Sequence, residues 1–461
     1  MWGRGLALAL PLLAAACAEL PAPASPERPQ AQSVTVARFP TQIRPQGVAR
    51  SNRMLANDIL ELAFQLENGD PLPGLLRYER PVRIALRSEG LRAYRPEIDG
   101  LIARLRAEAG IDIALTGDVA RADMHIQLVP SAQMNRVAPG AACFIAPGVD
   151  GWEVFRKQGR RNRTDWRDLR TMGTVGIFIP DDSPPQEVRD CLHEEVAQAL
   201  GPVNDVYRLS DTVFNDDNFH SVLTPFDMTV LRTIYQPEFR SGMPRAAMAA
   251  QLPRVLARTN PKGGRAPVAE AATNARWDEA IEQALDRRNR RGTRENGARA
   301  AVQLGQAMRP QDHRLGVSHL ALGRLYLRQD ASAATLQFVR AYDMFRRAAG
   351  GVDIRAAQAA MHLAVVALAD GQNDIAFSLA EEALPAARAA ENALLLSGLH
   401  AIQAAVFEAR GQMQSAAAAQ EDSLKWARFA FGPSSAAIRE AQDQIDAFAE
   451  AALLQTREER P

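Results

Sequence analysis

Apolar residues recur along this chain with two periods. Met54, Leu55, Ile59, Leu62 and Leu66 fall at helical spacing, and Ile98, Leu101, Ile102 and Leu105 repeat the i, i+3, i+4, i+7 pattern up to a helix stop at Gly110. Three short runs read as strands: residues 83–87 after Pro81, 125–129 and 175–179. A third helix is predicted from Ser183 as N-cap, with Pro184 in its first turn and Gln186 completing a capping box. Along it Val188, Cys191, Leu192, Glu195, Val196 and Ala199 share one side, Glu194 and Gln198 share another, and Gly201-Pro202 ends it. After a polar stretch at 207–218, Thr224-Pro225-Phe226-Asp227 opens a helix carrying Met228, Leu231, Ile234 and Tyr235, and a short helix follows at about 246–258. Strands interleaved with helices predict an α+β domain over 49–258.

Residues 259–267 contain Pro261, Gly263 and Gly264 and read as a linker. Beyond it, over 268–461, the pattern is helical and repeats itself. Ala369-Asp370-Gly371-Gln372 followed by Ala376 recurs 40 residues later as Ala409-Arg410-Gly411-Gln412 followed by Ala416, and Leu384 and Leu424 keep the same offset. A looser copy runs over 320–350, with Leu327-Arg328-Gln329-Asp330 before its second helix, and a fainter one over 277–308; a closing helix is expected at about 434–454. Each copy is helix, turn, helix, and such pairs bury their apolar faces only by stacking. The pattern resembles tetratricopeptide repeats with an extended period; an irregular helical bundle is the alternative.

The first 17 residues stand apart from the fold. Arg4 gives a positive start, residues 6–16 are apolar but too short to span a bilayer, and Ala14-Ala15-Ala16 precede Cys17. This resembles a bacterial lipoprotein signal with Cys17 lipidated, although Ala14 stands where leucine is usual; an ordinary signal peptide cut nearby is the alternative. Residues 18–48, rich in proline and alanine, then form a flexible tether. The expected location is the periplasmic side of a bacterial membrane, the outer rather than the inner, with the membrane as a partner through Cys17. The remaining cysteines, Cys143 and Cys191, form an even pair in an exported chain and point to a disulfide, with two buried free thiols as the alternative. Lys+Arg and Asp+Glu both total 54, so no global charge draws nucleic acid. Arg156, Lys157, Arg160, Arg161, Arg163, Arg167 and Arg170 crowd one stretch, either a solvated surface or a contact for anionic head groups or wall polymer.

The segment EEVAQALGPVND over 194–205 carries the candidate chemistry. A zinc-protease helix places two histidines one turn apart with a glutamate after the first; the metzincin form adds a glycine and then a third ligand. Glu194 holds the first ligand position, Glu195 the catalytic glutamate, Gln198 the second ligand, Gly201 the turn and Asn204 the third ligand. A carboxylate and two amides make an oxygen-only set, poor for zinc and suited at most to weak binding of a hard cation such as calcium, with Asp205, Asp216 or Asp217 assisting. No cofactor is expected. Starting the motif at His193 fails, because position 197 is alanine and Leu200 falls at the glycine. His125 and His220 are scattered. Metal-free acid–base catalysis on wall glycans would need a second acid at defined spacing, and none is identifiable. The structural alternative has Gln198 and Asn204 hydrogen-bonding each other and Glu194, replacing a metal as cross-link. There is no phosphate-cradling glycine loop and no GxSxG elbow.

CLHEEVAQALGPVND, VFNDDNF and LTPFDMTVLRTIYQPEFRSGM together resemble an uncharacterised domain-of-unknown-function family of bacterial exported proteins, distantly metzincin-like, over roughly 70–245. The resemblance implies architecture and no activity. The expected protein is therefore a tethered lipoprotein with a catalytically degenerate zincin-like domain, followed by helical repeats over 268–461 that bind a protein or peptide in envelope assembly or scaffolding. The alternative is a divergent metallohydrolase acting on envelope peptides or glycans, with Glu195 as general base. A wall anchor using the basic stretch is a third class.

Overall fold

The computed structural model describes residues 39–44, 47–48, 50–158, 163–215, 219–264, 275–327 and 329–432. Cys17, the signal, residues 18–38 of the expected tether, Arg160, Arg161, Asp216, Asp217 and the expected closing helix lie outside the described residues. The chain forms two compact units, Phe39–Thr273 and, from Asn274 onward, a helical one. Among the described residues, no helix is long and apolar enough to cross a membrane.

In the first unit the elements run α1 (Asn52–Phe64), β1 (Val82–Leu86), α2 (Arg95–Arg104), β2 (Ile113–Leu115), β3 (Met124–Val129), α3 (Ser131–Val137), β4 (Phe144–Pro147), α4 (Trp152–Gln158), β5 (Val175–Pro180), α5 (Pro185–Gln198), α6 (Pro225–Ile234) and α7 (Arg245–Thr259). The five strands form one sheet in the order β2-β1-β3-β5-β4. All pairings are parallel except β4 with β5. Pro147 sits on β4, an edge strand, where a missing N–H leaves no gap in the ladder. Met124, Ile126, Val175, Ile177 and Ile179 face one side of the sheet and form a single core with Leu55 and Ile59 of α1, Leu192 and Val196 of α5, and Leu231 of α6. The opposite face carries a small aromatic cluster of Phe144, Trp152, Phe155 and Phe178.

The helix expected to be capped by Ser183 starts one residue later. Pro184 is the N-cap, with ψ 157°, and Pro185 the first helical residue. A residue before proline is pushed out of the helical region, so in Ser183-Pro184-Pro185 only the second proline can enter the helix. The Gln186 amide, freed from a capping box, donates to Asp190 at 2.7 Å instead. The α6 start matches its sequence, with Thr224 and Asp227 forming a full capping box.

Two segments expected to be flexible are packed. The Arg44 amide donates to Glu108 Oε1 at 3.2 Å, the Val48 amide donates to Asn260 Oδ1 at 2.8 Å, and Arg189 lies over the Phe39 ring. Asn260 is fully buried, and the Asn52 amide donates to the Gly263 carbonyl at 3.2 Å. The described part of 39–48 and residues 260–264 thus lie on the α/β unit rather than in the tether and the linker. Their composition speaks only of local chain stiffness; partners more than 200 residues away leave no trace in it.

The second unit contains, among the described residues, four consecutive helix pairs. They are α8 (Ala275–Leu285) with α9 (Arg291–Ala307), α10 (His313–Tyr326) with α11 (Ala331–Ala349), α12 (Ile354–Ala369) with α13 (Asn373–Ala389), and α14 (Ala393–Ala409) with α15 (Met413–Phe431). Each helix packs on its neighbours in sequence, and α12 also packs on α14. The repeated Gly-Gln turn is one hydrogen-bonded motif. Gln372 N–H donates to the Ala367 carbonyl and Gln412 N–H to the Phe407 carbonyl, both at 2.8 Å, with Gly371 and Gly411 at φ +73° and +71°. The same bond closes α11 (Gly351 to Arg346, 3.1 Å) and α13 (Asn392 to Ala387, 3.0 Å). In the last case Glu391 adopts φ 56° where the other turns use glycine. The 40-residue period therefore contains two similar turns, and Glu391 hid the second from the sequence.

Candidate functional site

α5 follows β5 and is buried on nearly every side. Cys191 is bonded to Cys143, which ties the helix to the segment entering β4. Glu195 and Gln198 are each 4% exposed and Asn204 is 5% exposed, while Glu194 is only partly buried. Gln198 Nε2 donates to Asp205 Oδ2 at 2.9 Å. Asn204 Nδ2 donates to the Glu61 carbonyl on α1 at 3.2 Å. The expected mutual bonding of Gln198 and Asn204 is therefore replaced by two separate ties. The turn after α5 brings Asp205, not Asn204, to Gln198, and carries Asn204 to α1.

That turn depends on Gly201. Its φ is +141°, and a Cβ there would lie 2.8 Å from the Leu76 carbonyl oxygen. Gly201→Ala is expected to lose about 1–3 kcal/mol from backbone strain, with the clash adding to it. Denaturant titration checks this; a stability unchanged from the parent would show that the backbone at Leu76 can step back.

Asn204 lies beside a buried ionic network. Arg208 pairs with Glu61 and, at 2.6 Å, with Asp58; Asp58 also pairs with Arg50 at 2.5 Å, and Arg50 reaches Asp211 at 2.6 Å. The network joins α1 to the loop after the motif. Earlier along α5, Arg189 Nε and His193 Nε2 both meet Glu97 Oε1 of α2 at 2.9 Å. The Leu223 amide donates to His193 Nδ1 at 3.3 Å, which leaves the ring proton on Nε2, facing Glu97. Burial alone would raise the Glu97 carboxyl; the hydrogen bond from His193 and the charge of Arg189 reverse this and hold it below the usual carboxylate range. Burial lowers the His193 pKa, so the imidazole stays neutral. Burial pushes Asp190 up to about 7, against the opposing bond from Gln186. His193 is thus a partner of Glu97, which it shares with Arg189.

His125 does not face the motif. His125 pairs in register with Ala85 and Gly176 and faces the side of the sheet opposite Met124 and Ile126, whose face packs on α5. Among the described residues, no group of three or more His, Cys, Asp or Glu side chains is arranged to hold a metal ion. The donor set does not fit zinc: the positions one turn and one loop beyond Glu194 carry amides, whose oxygens are poor zinc ligands. In the basic stretch, Arg156 pairs with Glu153, Arg167 with Asp165 and Asp70, and Arg163 lies 4.0 Å from the Phe155 ring centroid.

Residues 52–254 match the family model described as Protein of unknown function (DUF2927). No curated protein and no solved structure matches the chain. The DUF2927 match begins at the first residue of α1, ends within α7 and includes the whole sheet and the motif; the helix pairs lie outside it. It supports an uncharacterised domain family for this region. Within the DUF2927 region, Asp58, Glu61, Arg208 and Glu97 were not singled out from sequence, although Asp58 left a signal. It falls with Leu55, Ile59 and Leu62 on the buried stripe of α1, where a carboxylate needs a partner.

Proposed function

We propose that this chain is an exported lipoprotein, tethered at Cys17 to the periplasmic side of a membrane. Its DUF2927 region is a catalytically degenerate zincin-like domain, and its helix pairs, tetratricopeptide-like in plan, recognise a protein or peptide in envelope assembly or scaffolding. One observation carries the degenerate-site reading: the second and third ligand positions hold amides, Gln198 and Asn204, whose N–H groups tie them to Asp205 and to the Glu61 carbonyl of α1. The Cys143–Cys191 disulfide supports an oxidising compartment. The stacked helix pairs support recognition, since such arrays present extended surfaces.

Protein purified without chelator is expected to hold substoichiometric zinc by elemental analysis, and Glu195→Gln is expected to leave cellular phenotype unchanged. Stoichiometric zinc, with a peptide- or glycan-hydrolysing activity lost in Glu195→Gln, would establish the metallohydrolase instead. The recognition half is tested by pull-down from detergent extracts: recovery of a partner must depend on residues 268–461.

A further inference from the structure

Arg324, in the last turn of α10, is only partly exposed and is held by neutral groups. Its Nη2 donates to Gln358 Oε1 at 2.5 Å and its Nε to His362 Nε2 at 3.5 Å, both on α12. Neighbouring arginines are neutralised differently: Arg314 pairs with Asp312, Arg346 with Glu382 and Arg355 with Asp353. No carboxylate among the described residues pairs with Arg324.

His362 completes the arrangement. It is 5% exposed and stacks on Phe338, with ring centroids 4.5 Å apart and planes at 10°. Burial and the Arg324 charge push its pKa down to about 3, so the ring is neutral. A neutral imidazole accepting from Arg324 at Nε2 carries its hydrogen on Nδ1. That buried Nδ1 has no hydrogen-bond partner among the described residues. The α10–α12 junction therefore holds a partly exposed guanidinium that no carboxylate among the described residues neutralises, and its complement is a single negative charge.

We infer that the junction of α10 and α12 is a recognition point for a carboxylate of a partner peptide, with Arg324 as the charge that binds it. A single guanidinium matches a single carboxylate in charge and in fork geometry. Gln358 and His362 hold Arg324 in place without cancelling its charge, so little reorganisation accompanies binding. The inference rests on the reading of the helix pairs as a recognition surface and names the chemistry of what they recognise.

The test is fluorescence anisotropy of a short labelled polyglutamate titrated with the full chain. Binding is expected to weaken with added salt and to fall by about tenfold or more in Arg324→Gln. Arg324→Lys, which keeps the charge and loses the fork, is expected to fall several-fold, and it serves as the reporter if the glutamine variant does not fold. Arg340→Gln, at an exposed position on α11, is expected to bind as the parent does. Parent-like binding by both Arg324 variants, or an equal loss in Arg340→Gln, overturns the inference. A chain that captures an envelope partner through residues 268–461 but ignores polyglutamate overturns this inference alone. A chain that does neither overturns the recognition reading as well.

Discussion

Asp58→Ala is expected to destabilise the α/β unit by about 3 kcal/mol or more. Asp58 is 2% exposed and is shared by Arg50 and Arg208, whose side chains are themselves only 14% exposed. Removing one member of a buried ionic group leaves the others desolvated and under-compensated, and such truncations cost about 3–5 kcal/mol. Asp211 and Glu61 soften the loss, since each retains one arginine. The loss therefore falls near the lower end of that range. Two further variants separate the charge effect from a simple cavity. Asp58→Asn keeps the shape and removes the charge, so it should still be strongly destabilising. Asp58→Ala combined with Arg208→Ala should lose less than the two single variants added together, because neither then strands the other. Chemical denaturation of the full chain measures the parent, the three single variants (Asp58→Ala, Asp58→Asn and Arg208→Ala) and the double variant. A loss below about 1 kcal/mol for Asp58→Ala would mean that Arg50 and Arg208 find water readily, and the rigid attachment of the motif loop to α1 would have to rest on Asn204.

The same network shows where the sequence is informative and where it is not. Periodicity located α1, the α5 helix and the four helix pairs, because each buries a stripe whose spacing is set by its own geometry. It did not locate β2 or β4. The first has three residues and the second has four with a proline, too few positions for an alternation to register. The motif spacing placed Gly201 at a true chain reversal, since a tight turn leaves a local signature in residue type. The partners of Gln198 and Asn204 were beyond such reasoning. Asp205 is near in sequence, but the choice between it and Asn204 is made by the path of the turn. Glu61 contributes a backbone carbonyl, which every residue has. Glu97 is 96 residues from His193, and no periodicity connects them. Long-range polar pairing is where tertiary structure adds most to a sequence, and here it decides what Gln198 and Asn204 hold.

Joint replacement of Cys143 and Cys191 by serine is expected to cost about 4 kcal/mol. The bond closes a loop of sequence separation 48, and the chain-entropy estimate for a loop of that length is about 4 kcal/mol within a usual range of about 2–5. The loss should be concentrated locally as well as felt globally. Cys191 is buried in the middle of α5, and Cys143 immediately precedes β4, an edge strand of four residues held to the sheet by β5 alone. Without the bond, β4 keeps one short antiparallel ladder and the aromatic cluster around Phe144, so its amides should exchange much faster, whereas those of β1 and β3 in the sheet interior should follow the global change. Reduction of the parent protein should reproduce the variant. Hydrogen exchange on oxidised parent, reduced parent and variant reads both effects. If β4 exchanges equally in all three, the disulfide constrains only the unfolded chain. If it loosens without the bond, the link holds the edge of the sheet against α5 in the folded state, and covalent chemistry rather than the short β4 ladder fixes that edge.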